Sequence, residues 1–217
     1  MFKTEIMSRA RDRAASLGVR NVVVATNTGA SVRAAREAFG EGYRLFAVGN
    51  PASSHERGLC LHDGISEDTR ENLEQAGIQV ILHDQTLFQG EPACADARQQ
   101  HDAAALAYAR RYHKRDQLRP GSQDLVPIMQ NVLTELLGDG PRVCLEIALV
   151  AADSGKLPLD ADCMAIATPS SYGDLPDAAV TMRPATSRSL FSMQLRIKDL
   201  LLCPTDNDAW LASRPLG

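Results

Sequence analysis

The chain has 217 residues, 44% hydrophobic and 23% charged; that is enough apolar material for a buried core and excludes a disordered or fibrous class. Its formal net charge of -4 and pI near 5.7 give no overall support to nucleic-acid or anionic-membrane binding, although residues 109–119, ARRYHKRDQLR, are locally basic. Five cysteines (Cys60, Cys94, Cys144, Cys163, Cys203) are scattered without a CxxC pair, which argues for reduced thiols in the cytoplasm and against a disulfide framework or a zinc site.

The opening MFKTEIMSRARDRAASLG interleaves charge with apolar residues. The spacing of Ile6, Ala10 and Leu17, with Glu5 and Asp12 between them, predicts an amphipathic helix rather than a secretory or transit segment. Thr4 is placed to cap this helix and Gly18 to end it. Residues 22–25, VVVA, predict a short buried strand. Residues 31–39 predict a helix with Val32, Ala35 and Phe39 on one side, and 43–48, YRLFAV, a second strand stopped by GNP. Residues 49–65 read as loop, with LCL suited to a short strand. In SEDTRENLEQAG, Ser66 is the N-cap, acids fill the first turn and Gly77 is the stop. IQVIL (78–82) follows as a third strand. Short connections in this order predict a parallel sheet with helices on both faces.

The chain then turns polar. Residues 91–119 are rich in Ala, Gln and Arg and close at RPGS; 95–115 predict a helix, protruding or at an interface. Residues 122–137 predict another, with Pro127 near its first turn, broken by GDGP. RVCLEIALVAADSG is apolar almost throughout, interrupted by Glu146, and its length and alanines predict a buried helix. CMAIA (163–167) predicts a fourth strand and AAVTMRPA a fifth, with the polar turn TPSSYGDLPD between them. The tail SLFSMQLRIKDLLLCP has helical spacing, although Leu195 and Ile197 also suit an edge strand. There is no internal repeat and no stretch of transmembrane length, so one compact domain over residues 1–217 is expected.

In an open parallel sheet, ligands sit beyond the carboxyl ends of the strands. Two turns have that place: residues 26–31, TNTGAS, after the first strand, and 168–174 after the fourth. A phosphate at the first would meet backbone N–H groups and the positive end of a helix dipole, with Gly29 allowing close approach and Thr26, Thr28 and Ser31 adding hydroxyls. The same residues suit a plain connection, with Ser31 as N-cap and Gly29 as turn residue. The glycine spacing is neither a Walker loop nor a dinucleotide fingerprint.

Other residues carry less. His55, His62 and His83, with Asp63 and Asp84 beside two of them, lack metal-site spacing, so no metal is expected. Glu146, a lone carboxylate in an apolar helix, needs a partner; it is either a structural group pairing an arginine or an acid facing the crevice. Thr186 and Ser187, after Pro184, suit caps of a final helix, or ligand contacts if that strand end faces the crevice.

The stretches NVVVATNTGASVRAAREAF, GIQVILHDQTLFQG, VCLEIALVAADSGKLP and CMAIATPSSYGDLPDAAVTMRPATSRSLF resemble the C-terminal domain of pyruvate kinases. They resemble most closely a family of free-standing bacterial and archaeal proteins like that domain, with EIALVAADSGKLP and VTMRPATS the most specific pieces. The resemblance implies a three-layer α/β/α sandwich with a mainly parallel five-stranded sheet and an antiparallel edge strand. It also implies bound flavin mononucleotide (FMN), with no established reaction. By matching position, its phosphate end would lie at Thr26, Asn27, Thr28, Gly29 and Ser31, with Thr168, Ser170, Ser171, Tyr172 and Gly173 alongside and Gly49 and Asn50 at the end of the second strand. The expected role is a cytoplasmic protein binding a phosphorylated small molecule, with neither nucleic acid nor membrane as partner. The alternatives are a flavin- or phosphate-dependent enzyme and a regulatory or oligomerising module, in which the 91–121 insertion would be the contact between copies.

Overall fold

The computed structural model of the protein describes residues 3–52, 64–83, 137–167, 178–186 and 194–202. In chain order the elements are α1 (Lys3–Leu17), β1 (Asn21–Ala25), α2 (Ala30–Phe39), β2 (Arg44–Gly49), α3 (Glu67–Gln75), β3 (Gln79–Leu82), α4 (Asp139–Asp153), β4 (Cys163–Ala167), β5 (Ala178–Arg183) and β6 (Arg196–Leu202). The strands form one six-stranded sheet in the order β3-β2-β1-β4-β5-β6. Among the described residues no helix is long and apolar enough to cross a membrane.

Period-two alternation divides the strand side chains between the faces. Val22, Val24, Leu45, Ala47, Val80, Met164 and Ile166 point to the side covered by α1, α2 and α3, where Ala10, Ala14, Val32, Ala35, Phe39 and Leu73 meet them. Val23, Phe46, Val48, Ile81, Cys163, Ala165 and Ala167 point to the other side, against Cys144, Leu145, Ala148 and Ala151 of α4. Burial on both faces is why these strands read as unbroken apolar runs. The β1–β2 crossover runs outward through α2 on one face. The chain enters β4 from α4 on the opposite face and on the opposite side of β1. Reversing both direction and face preserves the hand of the crossover and makes the β1/β4 junction a topological switch point.

Two expectations about the sheet are corrected. Among the described residues it is mixed rather than mainly parallel and has six strands rather than five: β1 pairs in parallel with β2 and β4, and β2 with β3, but β5 runs antiparallel to both β4 and β6. Among the described strands the fifth is therefore interior, and β6 holds the edge. The tail over 196–202 is this strand, not a helix. Helical spacing loses because β5 would otherwise present an open row of backbone donors and acceptors, which β6 satisfies. The segment that Thr186 and Ser187 would cap, 187–193, lies outside the described residues.

The register slips between Thr181 and Met182: Thr181 faces Asp199 and Met182 faces Ile197, leaving Lys198 as the extra residue of a bulge. Its Nζ reaches Asp162 Oδ2 at 2.5 Å, while Arg183 Nε reaches Oδ1 at 2.7 Å, so one carboxylate ties the start of β4 to β5 and β6. At the other edge, Lys156 Nζ donates to the Val80 carbonyl of β3 at 2.7 Å.

Local signals are realised closely. Ser66 accepts the Thr69 N–H as the cap of α3, and Gly18 (φ 69°) and Gly77 (φ 71°) take the left-handed conformation where α1 and α3 end. Lys3 is already helical, so Thr4 lies inside α1 rather than capping it. The helix expected over 95–115, most of that over 122–137, the LCL segment and the basic stretch at 109–119 lie outside the described residues.

Candidate functional site

At the carboxyl ends of β1, β2 and β3 the backbone ladders continue past the strands. Thr26 N donates to Val48 O at 2.9 Å and His83 N to Gly49 O at 2.9 Å. Just beyond β2, Asn50 O accepts from Ile65 N at 2.7 Å, and Pro51 and Ile65 form a parallel bridge. These bonds hold three strand ends level, and α4 crosses the face beside them. The result is a cavity of about 160 Å³ lined by Ala25, Thr26, Asn27, Val48, Gly49, Asn50 and His83 from the strand ends, and by Val143, Glu146, Ile147 and Val150 from α4.

Of the TNTGAS turn, Thr26 and Asn27 line this cavity, Thr28 is exposed, and Ser31 is buried in the first turn of α2. The cap of α2 is Gly29 rather than Ser31: Gly29 has φ 83° and ψ -5°, a conformation that strains any residue with a Cβ. The turn closes on its own hydroxyls. Gly29 N donates to Thr26 Oγ1 at 2.9 Å and Ala30 N to Thr28 Oγ1 at 3.4 Å, while Arg33 N returns to Gly29 O at 3.1 Å. Thr26 is 5% exposed, and accepting from Gly29 leaves its hydroxyl one proton to donate.

Gly49 serves backbone packing. A Cβ there would stand 2.0 Å from the Thr26 carbonyl oxygen, so only glycine lets the ends of β1 and β2 approach this closely. Thus Thr26, Asn27, Gly49 and Asn50 are brought together, whereas Thr28, Gly29 and Ser31 build the turn behind them. Thr168, Ser170, Ser171, Tyr172 and Gly173 lie outside the described residues.

Glu146 has both roles that the sequence left open. It lines the cavity, and its Oε2 accepts from Arg142 Nη1 at 3.0 Å one helical turn away; the two side chains are only 13% and 15% exposed. His83 reaches the same cavity from the end of β3, so one small space offers a carboxylate, an imidazole, a hydroxyl and two side-chain amides. Sequence reading passed over Arg142 and the apolar lining of α4. The signal was present: Val143, Glu146, Ile147 and Val150 stand at i, i+3, i+4 and i+7, one helical stripe with an acid in it, and Arg142 precedes Glu146 by four.

Other titratable groups belong to the frame. Burial pushes the Cys163 thiol up to about 12, with the Asp162 charge adding to it, so it stays a neutral core residue. Among the described residues no cluster of three or more His, Cys, Asp or Glu is arranged to hold a metal; His55, His62, Asp63 and Asp84 lie outside them. In comparisons with known proteins, the chain matches no protein-family model and no curated protein sequence.

Proposed function

We propose that the cavity at the carboxyl ends of β1, β2 and β3 binds a phosphorylated small molecule, with FMN the first compound to test. In the same reading, the chain is a relative of the pyruvate kinase C-terminal domain with its three-layer α/β/α architecture. The observation that carries the proposal is that two turns distant in sequence place Thr26, Asn27, Gly49 and Asn50 around one cavity, beside His83. Phosphate oxygens are acceptors, and the Thr26 hydroxyl and the Asn27 and Asn50 amides are groups that can donate to them. The Glu146 carboxylate repels a phosphate, so the phosphate end belongs at the strand-end turns and the body of the ligand against α4.

Size limits what enters. A cavity of about 150 Å³ encloses one benzene ring, so the 160 Å³ here encloses only part of a larger phosphorylated ligand. A three-ring flavin would extend beyond it. Titration of the protein into FMN should quench the flavin fluorescence saturably, and riboflavin, lacking the phosphate, should bind more weakly. Thr26→Val should weaken FMN binding about tenfold by removing one buried donor. Failure of FMN and other phosphorylated compounds to bind at high micromolar concentration would overturn the proposal.

A further inference from the structure

The end of the sheet opposite the cavity has a character of its own. There Arg44 opens β2 level with Asn21 of β1, Asn21 is level with Cys163 of β4, Cys163 with Met182 of β5, and Met182 with Ile197 of β6. Four strands bring cations to this line: Arg44 at β2, Arg20 just before β1, Arg183 at the end of β5, and Arg196 and Lys198 in β6. Asp162 is shared by Arg183 and Lys198, Glu41 pairs with Arg36, and Asp160 adds one exposed carboxylate. Arg20, Arg44 and Arg196 are exposed and have no carboxylate partner among the described residues. In a chain with a formal net charge of -4, this is a local reversal of sign.

Exposed apolar side chains gather at the same end. Leu17, three residues before Arg20, is 42% exposed; Leu159, three before Asp162, is 43% exposed; and Ile197, on the line itself, is 47% exposed. Cations alone would simply be solvated, but arginines interspersed with exposed Leu and Ile have the make-up of a contact surface. From β2 to β6 is four strand spacings, about 19 Å, which an extended peptide of about six residues spans. Four of the five cations are arginines, whose planar fork matches a carboxylate in two hydrogen bonds. Three separated apolar residues offer little area for burial in a bilayer.

We infer that this rim, at the amino ends of β1, β2 and β4, docks an acidic peptide segment of a partner protein, its carboxylates on Arg20, Arg44 and Arg196 and its apolar residues on Leu17, Leu159 and Ile197. The surface is independent of the cavity and of what the cavity binds.

A fluorescent peptide of about six residues, Glu with interspersed Leu, is the probe, read by anisotropy. It should bind saturably, weaken as salt is raised, and bind about tenfold more tightly than the same peptide with Gln for Glu. In Arg20→Ala/Arg44→Ala/Arg196→Ala its affinity should fall about tenfold, with the urea midpoint showing that the variant is folded. Arg20 also lies 5.1 Å from the centre of the Tyr43 ring, so Arg44→Ala/Arg196→Ala, which keeps that contact, serves if the triple variant does not fold; the loss should then be several-fold. No binding of the Glu peptide, equal binding of the Gln peptide, or undiminished binding by the variant would overturn the inference. Binding to phosphatidylserine vesicles in preference to the peptide, lost in the same variant, would overturn it too and make the rim a membrane surface.

Discussion

Gly49 shows how much one residue can decide about this site. The sequence marks it only as the stop of a strand, in GNP, and the resemblance casts it as a ligand contact; both miss its main burden. Its missing Cβ lets the Thr26 carbonyl lie where a side chain would otherwise be, and Ile65 Cδ1 would stand 3.0 Å from that Cβ. Gly49→Ala should therefore destabilise the protein by about 3 kcal/mol, read as a lower urea midpoint, because both neighbours are packed and one is backbone. A loss under about 0.5 kcal/mol would mean that the ends of β1 and β2 can part freely. Thr26 was legible as a polar turn residue, but not as an acceptor for Gly29 with a proton left over. That depends on the turn curling back over three residues, and residue type alone does not determine such a path.

Among the elements, α3 and β6 are opposite cases. Every signal in α3 is local: Ser66 accepts from Thr69 N, Glu67 and Asp68 occupy the first turn, and Arg70 pairs with Glu67 and Glu74 along the exposed face. Such a helix can be read from sequence because the groups that start it lie within one turn of each other. Ser66→Ala should lower stability by about 1 kcal/mol, and Ser66→Gly by only a few tenths, measured by chemical denaturation. Equal losses for the two would point to a role beyond the cap. β6 lacks that advantage. RIKDLLL fits a helix as well as a strand, and its state is decided by β5, which leaves an edge to be paired. The bulge at Lys198, with the charges of Arg196 and Lys198, then twists and blunts the new edge against further pairing.

For the molecule as a whole, the Asp162 clamp joins the parallel and antiparallel parts of the sheet. Burial raises the Asp162 carboxyl, but hydrogen bonds from Lys198 and Arg183, together with their charges, outweigh it and hold the group below the usual carboxylate range. A depressed folded pKa means that this stabilisation is complete above the unfolded value of about 4 and is lost as the pH falls through the folded value. Asp162→Asn should cost about 1 to 2 kcal/mol near neutral pH and flatten the fall in stability below about pH 4, tracked by urea unfolding across pH. If the variant and wild type lose stability in parallel on acidification, the clamp is not the cause. By itself, the sequence determined the apolar strands, the helices with caps within a turn, and the hydroxyl-rich connection after β1, because alternation, capping and turn chemistry act between near neighbours. Only the tertiary structure decided the mixed strand order, the strand at the tail, the glycine beneath Thr26 and the placing of the α4 stripe beside the ends of β1, β2 and β3. Each of these depends on a close approach between segments far apart in the chain, and no local pattern encodes the distance between them.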